Sequence, residues 1–267
     1  MMMTHTFETL EDLERAGVVA TAGHLNSVRN TVLEGIDVTS LPTNIVNSLF
    51  KIATGLVELR GVKGLKFSML NNIESLELML TDIKIPEQVK KNISVSAKVI
   101  NLTNISCNVS GLFESITCDG LNLVEKMYLY HLDLSDVSVA IVNNLAKTIG
   151  RILSLRRLMG FSTSMLDNIK CEHLYIYNME ISSQATEDTI VSGQVSLGNL
   201  SGNLSGLFEN LTQEEGNSIE SLSLVHVDVS NIPVNIVNSL MKKFGGYLEL
   251  HGVTGFCLGS FRNECTS

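Results

Sequence analysis

The chain contains no tryptophan, three prolines and 18% charged residues in a length of 267. That scarcity of proline and charge, beside 44% apolar residues and a mean hydropathy of +0.22, excludes a disordered chain, which buries too little apolar surface to offset its ordering entropy. Pro- and Gly-rich linkers are missing too, so nothing divides the chain, although its length exceeds the common size of one compact domain. An elongated single domain fits best. Basic residues are outnumbered, 19 against 28 acidic ones, for a formal charge of −9. Such a chain opposes a phosphate-neutralising surface, and no nucleic-acid partner is expected. No run approaches the roughly 18 to 20 uninterrupted apolar residues that cross a bilayer, so no membrane span is expected.

The start, Met1 to Leu10 followed by Glu11, Asp12, Glu14 and Arg15, lacks the basic and apolar regions of a secretory signal. If Met1 is the natural start, the expected location is cytoplasmic. Cys107, Cys118, Cys171, Cys257 and Cys265 form no short-spaced pair of the zinc or redox type and read as reduced thiols. The stretch Gly61-Val-Lys-Gly-Leu-Lys-Phe-Ser68 fails the spacing of a phosphate-cradling loop. No nucleophile elbow, metal-type His pair or paired-carboxylate signature stands out. A non-enzymatic chain with no metal and no cofactor is the expectation. Seven Asn-x-Ser/Thr triplets, at Asn92, Asn101, Asn104, Asn108, Asn199, Asn203 and Asn210, would accept glycans in a secreted recognition protein. Six of them fall in corresponding stretches of a duplicated block, and duplication accounts for them without glycans.

That duplication is what the chain does have. A block of about 96 residues appears twice and starts a third time. Asn44-Ile-Val-Asn-Ser-Leu49 returns as Ala140-Ile-Val-Asn-Asn-Leu145 and as Asn235-Ile-Val-Asn-Ser-Leu240, with Asp37, Asp133 and Asp228 at the same place ahead of them. Within the blocks a smaller unit recurs, apolar-x-apolar-x-x-apolar. It begins at Thr31, Val57, Leu78, Ile100, Met127, Leu153, Leu174, Val195, Leu222 and Leu248. Each unit opens with period-two alternation, which suits a short strand with one inward face. In the longer units the return leg is helical: apolar residues at 45, 46, 49 and 52 form a stripe, with Thr39 and Ser40 as caps and Pro42 near the first turn. Shorter units, such as Ser164 to Ile169, leave room for one turn or a 3₁₀ segment. Leu129, Leu155, Ile176 and Leu197, with Leu33, Leu59, Leu80, Leu224 and Leu250, are expected to form one buried column under a parallel sheet.

These units resemble leucine-rich repeats. Val124-x-x-Met127-x-Leu129-x-x-Leu132-x-Leu134 and Ile219-x-x-Leu222-x-Leu224-x-x-Val227-x-Val229 match the aliphatic positions of that family's pattern. The resemblance implies an α/β solenoid of about ten repeats over residues 28–267, curved, with the parallel sheet on the concave side and helices and turns on the convex side. Residues 1–27 are then an N-terminal capping segment. Where the family has Asn or Cys, this chain has Ile36, Val62, Ile83, Ile105, Leu132, Leu158, Met179, Leu200, Val227 and Val253. The turn after each strand is therefore expected to rest on apolar packing and backbone bonds alone. Irregular repeats of this sort are similar to the C-terminal repeat region of NACHT-type intracellular innate immune receptors. Leu41 to Phe50 also resembles the first helix of an F-box, but its return from Ile232 to Leu240 makes it a repeat helix.

In such repeats the variable residues around the two central apolar positions face the concave side. Those columns hold Tyr128, Tyr130 and His131, then Arg156 and Arg157, then His173, Tyr175, Tyr177 and Asn178, gathering four of the five tyrosines on three adjacent strands. Tyr and Arg combine apolar area, hydrogen bonding and little ordering entropy, as interface hot spots do. The resulting expectation is a protein or peptide ligand on the concave face. The competing readings are cross-strand aromatic pairing that only solubilises the sheet, a substrate-recruiting adaptor of a larger complex, and a secreted recognition protein.

Overall fold

Alternating apolar residues commit each unit to a strand, because a period of two places one set of side chains on one face. A computed structural model describes residues 4–7, 9–23, 27–85, 94–107, 109–116, 124–167, 169–181, 190–212 and 219–255. In chain order the elements begin with β1 (Thr4–Phe7), α1 (Leu10–Thr21), β2 (Val28–Glu34), α2 (Thr43–Lys51), β3 (Ala53–Arg60), a 3₁₀ turn (Phe67–Leu70) and β4 (Ile73–Ile85). There follow β5 (Val95–Cys107), α3 (Val109–Ile116), β6 (Val124–Tyr130), α4 (Val139–Ala146), β7 (Ile149–Arg156), a second 3₁₀ turn (Thr163–Leu166) and β8 (Lys170–Ile181). The last are β9 (Ile190–Gly202), α5 (Leu204–Thr212), β10 (Ile219–Val225), α6 (Val234–Lys243) and β11 (Phe244–His251). The 11 described strands form one sheet in strict sequence order, and every pairing among them is parallel. Consecutive parallel neighbours, with a helix or 3₁₀ turn in each connection that is described, make a solenoid-like α/β fold.

The expected core column is continuous through the register Leu33, Leu59, Leu80, Leu102, Leu129, Leu155, Ile176, Leu197, Leu224. All of these are buried in the same cluster as the inward residues of the helices. Leu250 departs from the expectation: it follows Leu224 in register but is 38% exposed. β11 is the outermost described strand, so among the described residues its inner side is covered from one side only. The segment 1–27 adds a strand and a helix: Phe7 stands opposite Leu33 at the head of the column, and Leu13 is fully buried.

Two features of the return legs differ from the expectation. Helix α2 buries Val46, Leu49 and Phe50, so Phe50 rather than Ile45 or Ile52 completes the stripe. The N-cap of α2 is Pro42, which offers no side-chain bond, because Thr39 is engaged elsewhere. Its backbone N–H and hydroxyl both donate to the Asp37 carboxylate, at 2.9 and 2.5 Å. Ser135 and Ser230 donate to Asp133 and Asp228 in the same way. The recurring aspartate thus closes a tight turn ahead of each recurring helix. Gly64, Gly160 and Gly255, all at positive φ, lie across from these turns, where an added Cβ would meet the Thr39, Ser135 or Ser230 backbone within 2.6 Å.

The corners after the strands are also not held by apolar packing and backbone bonds alone. One residue per corner adopts the left-handed conformation, just past the strand at Gly35, Gly61, His131, Arg157, His226 and Gly252 and within the longer strands at Asp82, Asn104, Asn178 and Asn199. Side chains bridge neighbouring corners, with Asn104 Nδ2 donating to Asp82 at 2.6 Å and Asn199 Nδ2 donating to Asn178 Oδ1 at 3.1 Å.

Candidate binding surface

The strand register sets which side chains share the face away from the helices. Across β6, β7, β8 and β9 one row runs Tyr128, Ser154, Tyr175, Ser196. The next runs Tyr130, Arg156, Tyr177, Gly198, and the row before them holds Lys126, Ile152, His173 and Gln194. Tyr128, Tyr130, Arg156, His173, Tyr175 and Tyr177 therefore come together on one face. His131 and Arg157 do not join them there, since they occupy left-handed corners just past the ends of β6 and β7. They form a rim instead, and Asn178 is the corresponding left-handed residue within β8.

Large and small residues alternate along the rows, and the tyrosine rings use the space. Tyr130 Oη lies 3.1 Å from Ser154 Oγ, Tyr175 Oη donates to Gln194 Oε1 at 3.0 Å, and Tyr177 Oη pairs with Ser196 Oγ. Strands lie about 4.8 Å apart, so each of these hydroxyls reaches across to the neighbouring strand. Gly198 permits this, because a Cβ there would meet the Tyr177 ring at 2.5 Å. Tyr128 packs edge-on against Tyr130, with centroids 6.1 Å apart. Burial first, then Tyr130 and Glu77, raises the Tyr128 phenol above its ordinary 10.0. Burial first, then Tyr177 and Tyr128, raises Tyr175 likewise. Both phenols stay neutral at physiological pH. His173 Nδ1 accepts the Gln194 backbone N–H at 3.1 Å.

Arg156 and Arg157 are exposed. Among the described residues no ion pair engages either guanidinium, whereas Arg15, Arg60 and Arg151 are all paired. At the rim, between the bonded corners Asp82 to Asn104 and Asn178 to Asn199, a cleft of about 630 Å³ opens along His131, Arg157, Met159 and Glu180. Its floor is apolar, formed by Leu132, Leu158, Phe161 and Met179. Met159 is 61% exposed. The sequence reading missed this cleft and Met159. A signal was present, since Gly, Asn, Asp or His fills the corner column everywhere except at Arg157.

Other candidate chemistry is structural. Cys171 is a free, buried thiol pushed up to about 12 by burial and then by Glu172, so it stays protonated. Asn210 is 1% exposed, which leaves no room for a glycan in the folded chain. Asn92 and Asn108 lie outside the described residues. Among the described residues no helix is long and apolar enough to cross a membrane. Comparison with protein-family models, curated proteins and solved structures gives no match.

Proposed function

We propose that this chain is a leucine-rich-repeat solenoid acting as a non-enzymatic interaction module, of the kind that forms the repeat region of a cytoplasmic, innate-immune-type receptor. A protein or peptide partner docks on the concave side of the sheet over β6 to β8. The observation that carries this reading is the contrast between the duplicated blocks. Packing positions keep their character, Leu33, Leu59 and Leu80 in the first block answering to Leu129, Leu155 and Ile176 in the second. Positions on the other face do not: Val32, Glu34, Met79 and Thr81 become Tyr128, Tyr130, Tyr175 and Tyr177. Core packing does not demand that change, whereas an interface anchor does.

The hydroxyl bonds to Ser154, Gln194 and Ser196 support the same reading. Rings fixed in advance lose little freedom when a partner arrives, so more of their contact area counts toward affinity. Replacing Tyr130, Arg156 and Tyr177 together by Ala is expected to weaken binding by at least about 2 kcal/mol with folding stability little changed. The measurement is calorimetry against a partner recovered by co-precipitation. Equal affinity of the triple variant moves the site elsewhere and leaves the tyrosines as sheet decoration.

A further inference from the structure

The first block supplies an internal control for the second. Arg60 occupies the place in block one that Arg156 occupies in block two, and it is held by two carboxylates, Glu58 at 2.8 Å and Glu34 at 3.7 Å. The residues equivalent to those carboxylates are Ser154 and Tyr130. The arginine was kept while both of its anions were removed. On the outward face Asn30 and Glu77 of the first block answer to Lys126 and His173 of the second, while at the rim Gly61, Lys63 and Lys84 answer to Arg157, Met159 and Glu180. In a chain of net charge −9, this stretch of the sheet face has turned positive.

Arg157 adds a second line of argument. Its φ of 53° is left-handed, a conformation in which a Cβ crowds the following carbonyl and which Gly61 adopts in the first block without strain. Seven of the ten corners hold a residue other than glycine, and Arg157 is the one among them that is not Asn, Asp or His, the types most often found there; its exposed guanidinium beside an open cleft marks a place where side-chain chemistry outweighs backbone comfort. Two residues on, Lys63 of the first block is replaced by Met159, which exposes an apolar side chain at the cleft.

We propose that the partner's contacting segment is an acidic peptide: its carboxylates take the places that Glu34 and Glu58 fill around Arg60, pairing with Arg156 and Arg157, and an adjacent apolar side chain covers Met159 in the rim cleft. This rests on the concave-face reading above and adds the chemistry of the ligand. Arginine suits the task because its planar fork takes a carboxylate with two parallel N–H bonds. Lys126 extends the positive field along the approach and steers an anionic segment toward it. Glu180 also lines the cleft and disfavours a carboxylate within it, which leaves the cleft to the apolar side chain.

The test selects binders from a random displayed peptide library on the intact chain, then measures the best synthetic peptide by fluorescence anisotropy. Enrichment of Asp or Glu beside an aliphatic or aromatic residue is expected, with affinity that falls as salt is raised. Restoring the first block's anions with Tyr130→Glu and Ser154→Glu is expected to weaken that peptide by at least about tenfold. Arg157→Gly is expected to weaken it as well while leaving the melting temperature equal or higher, because the corner strain is relieved. A purely structural arginine would instead lose stability on that change. Selected peptides without acidic residues, or peptides indifferent to both Arg157→Gly and the double-Glu variant, overturn this inference alone, provided they still lose binding in the Tyr130, Arg156 and Tyr177 triple variant. Peptides indifferent to the triple variant, or no selected peptide at all, overturn the concave-face reading with it.

Discussion

Asp37, Asp133 and Asp228 recur because of a turn, not because of chemistry at a site. The Thr39, Ser135 and Ser230 hydroxyls, then their backbone N–H groups, hold these carboxyls below their ordinary 3.8. A carboxyl depressed in the folded state binds its proton more weakly there than in the unfolded chain. Its contribution to stability is therefore full above the ordinary value and is lost as pH falls below it. Carbon-detected NMR titration is expected to place all three midpoints below 3.8, and Thr39→Ala, Ser135→Ala or Ser230→Ala is expected to return the adjacent aspartate toward it. An unchanged midpoint would show that the hydroxyls are not the cause. The repetition of the aspartate was legible in the sequence, but its role was not, because a short acid ahead of a helix reads equally as a surface residue. Arg157 was misplaced for a related reason. Left-handed corners accept Gly, Asn, Asp and His for different physical reasons, so no single residue type marks the column, and its one arginine looked like a strand residue.

Between elements, the Asn of the Ile-Val-Asn motif ties α2 and α4 to the turn that follows each. Asn47 on α2 donates to the backbone oxygens of Met69 and Asn71, at 2.9 and 2.7 Å, and Asn143 on α4 donates to that of Asp167. Carbonyls at the end of a 3₁₀ turn lack helical partners, and a buried acceptor left unpaired costs about 1–3 kcal/mol. Asn47→Ala is therefore expected to destabilise the chain by about 1–3 kcal/mol in urea unfolding, while Asn44→Ala, at an exposed position of the same motif, changes it by less than about 0.5 kcal/mol. Similar losses for the two would remove the tie from the account. Helix positions and the short 3₁₀ turn around Ser164 followed from apolar spacing, and the structure agrees. Asn47 escaped notice because its partner oxygens lie 22 and 24 residues away and belong to the backbone, which carries no sequence signal.

Over the whole molecule, each strand is covered by the one before and the one after, so a core residue's contribution depends on its place in the array. The column from Leu33 to Leu224 was readable because period-two alternation and a fixed offset between units place its members without ambiguity. Leu250 obeys the same pattern and still fails, since alternation determines which face a side chain takes but not whether a neighbour lies beyond it. Leu155, 3% exposed between β6 and β8, is expected to cost about 2–5 kcal/mol on truncation to Ala. Leu250, 38% exposed beyond β10, is expected to cost less than half as much. Urea unfolding of the two variants decides the matter. Equal losses would mean that Leu250 is covered in solution as fully as Leu155, and that the array is packed on both sides of β11.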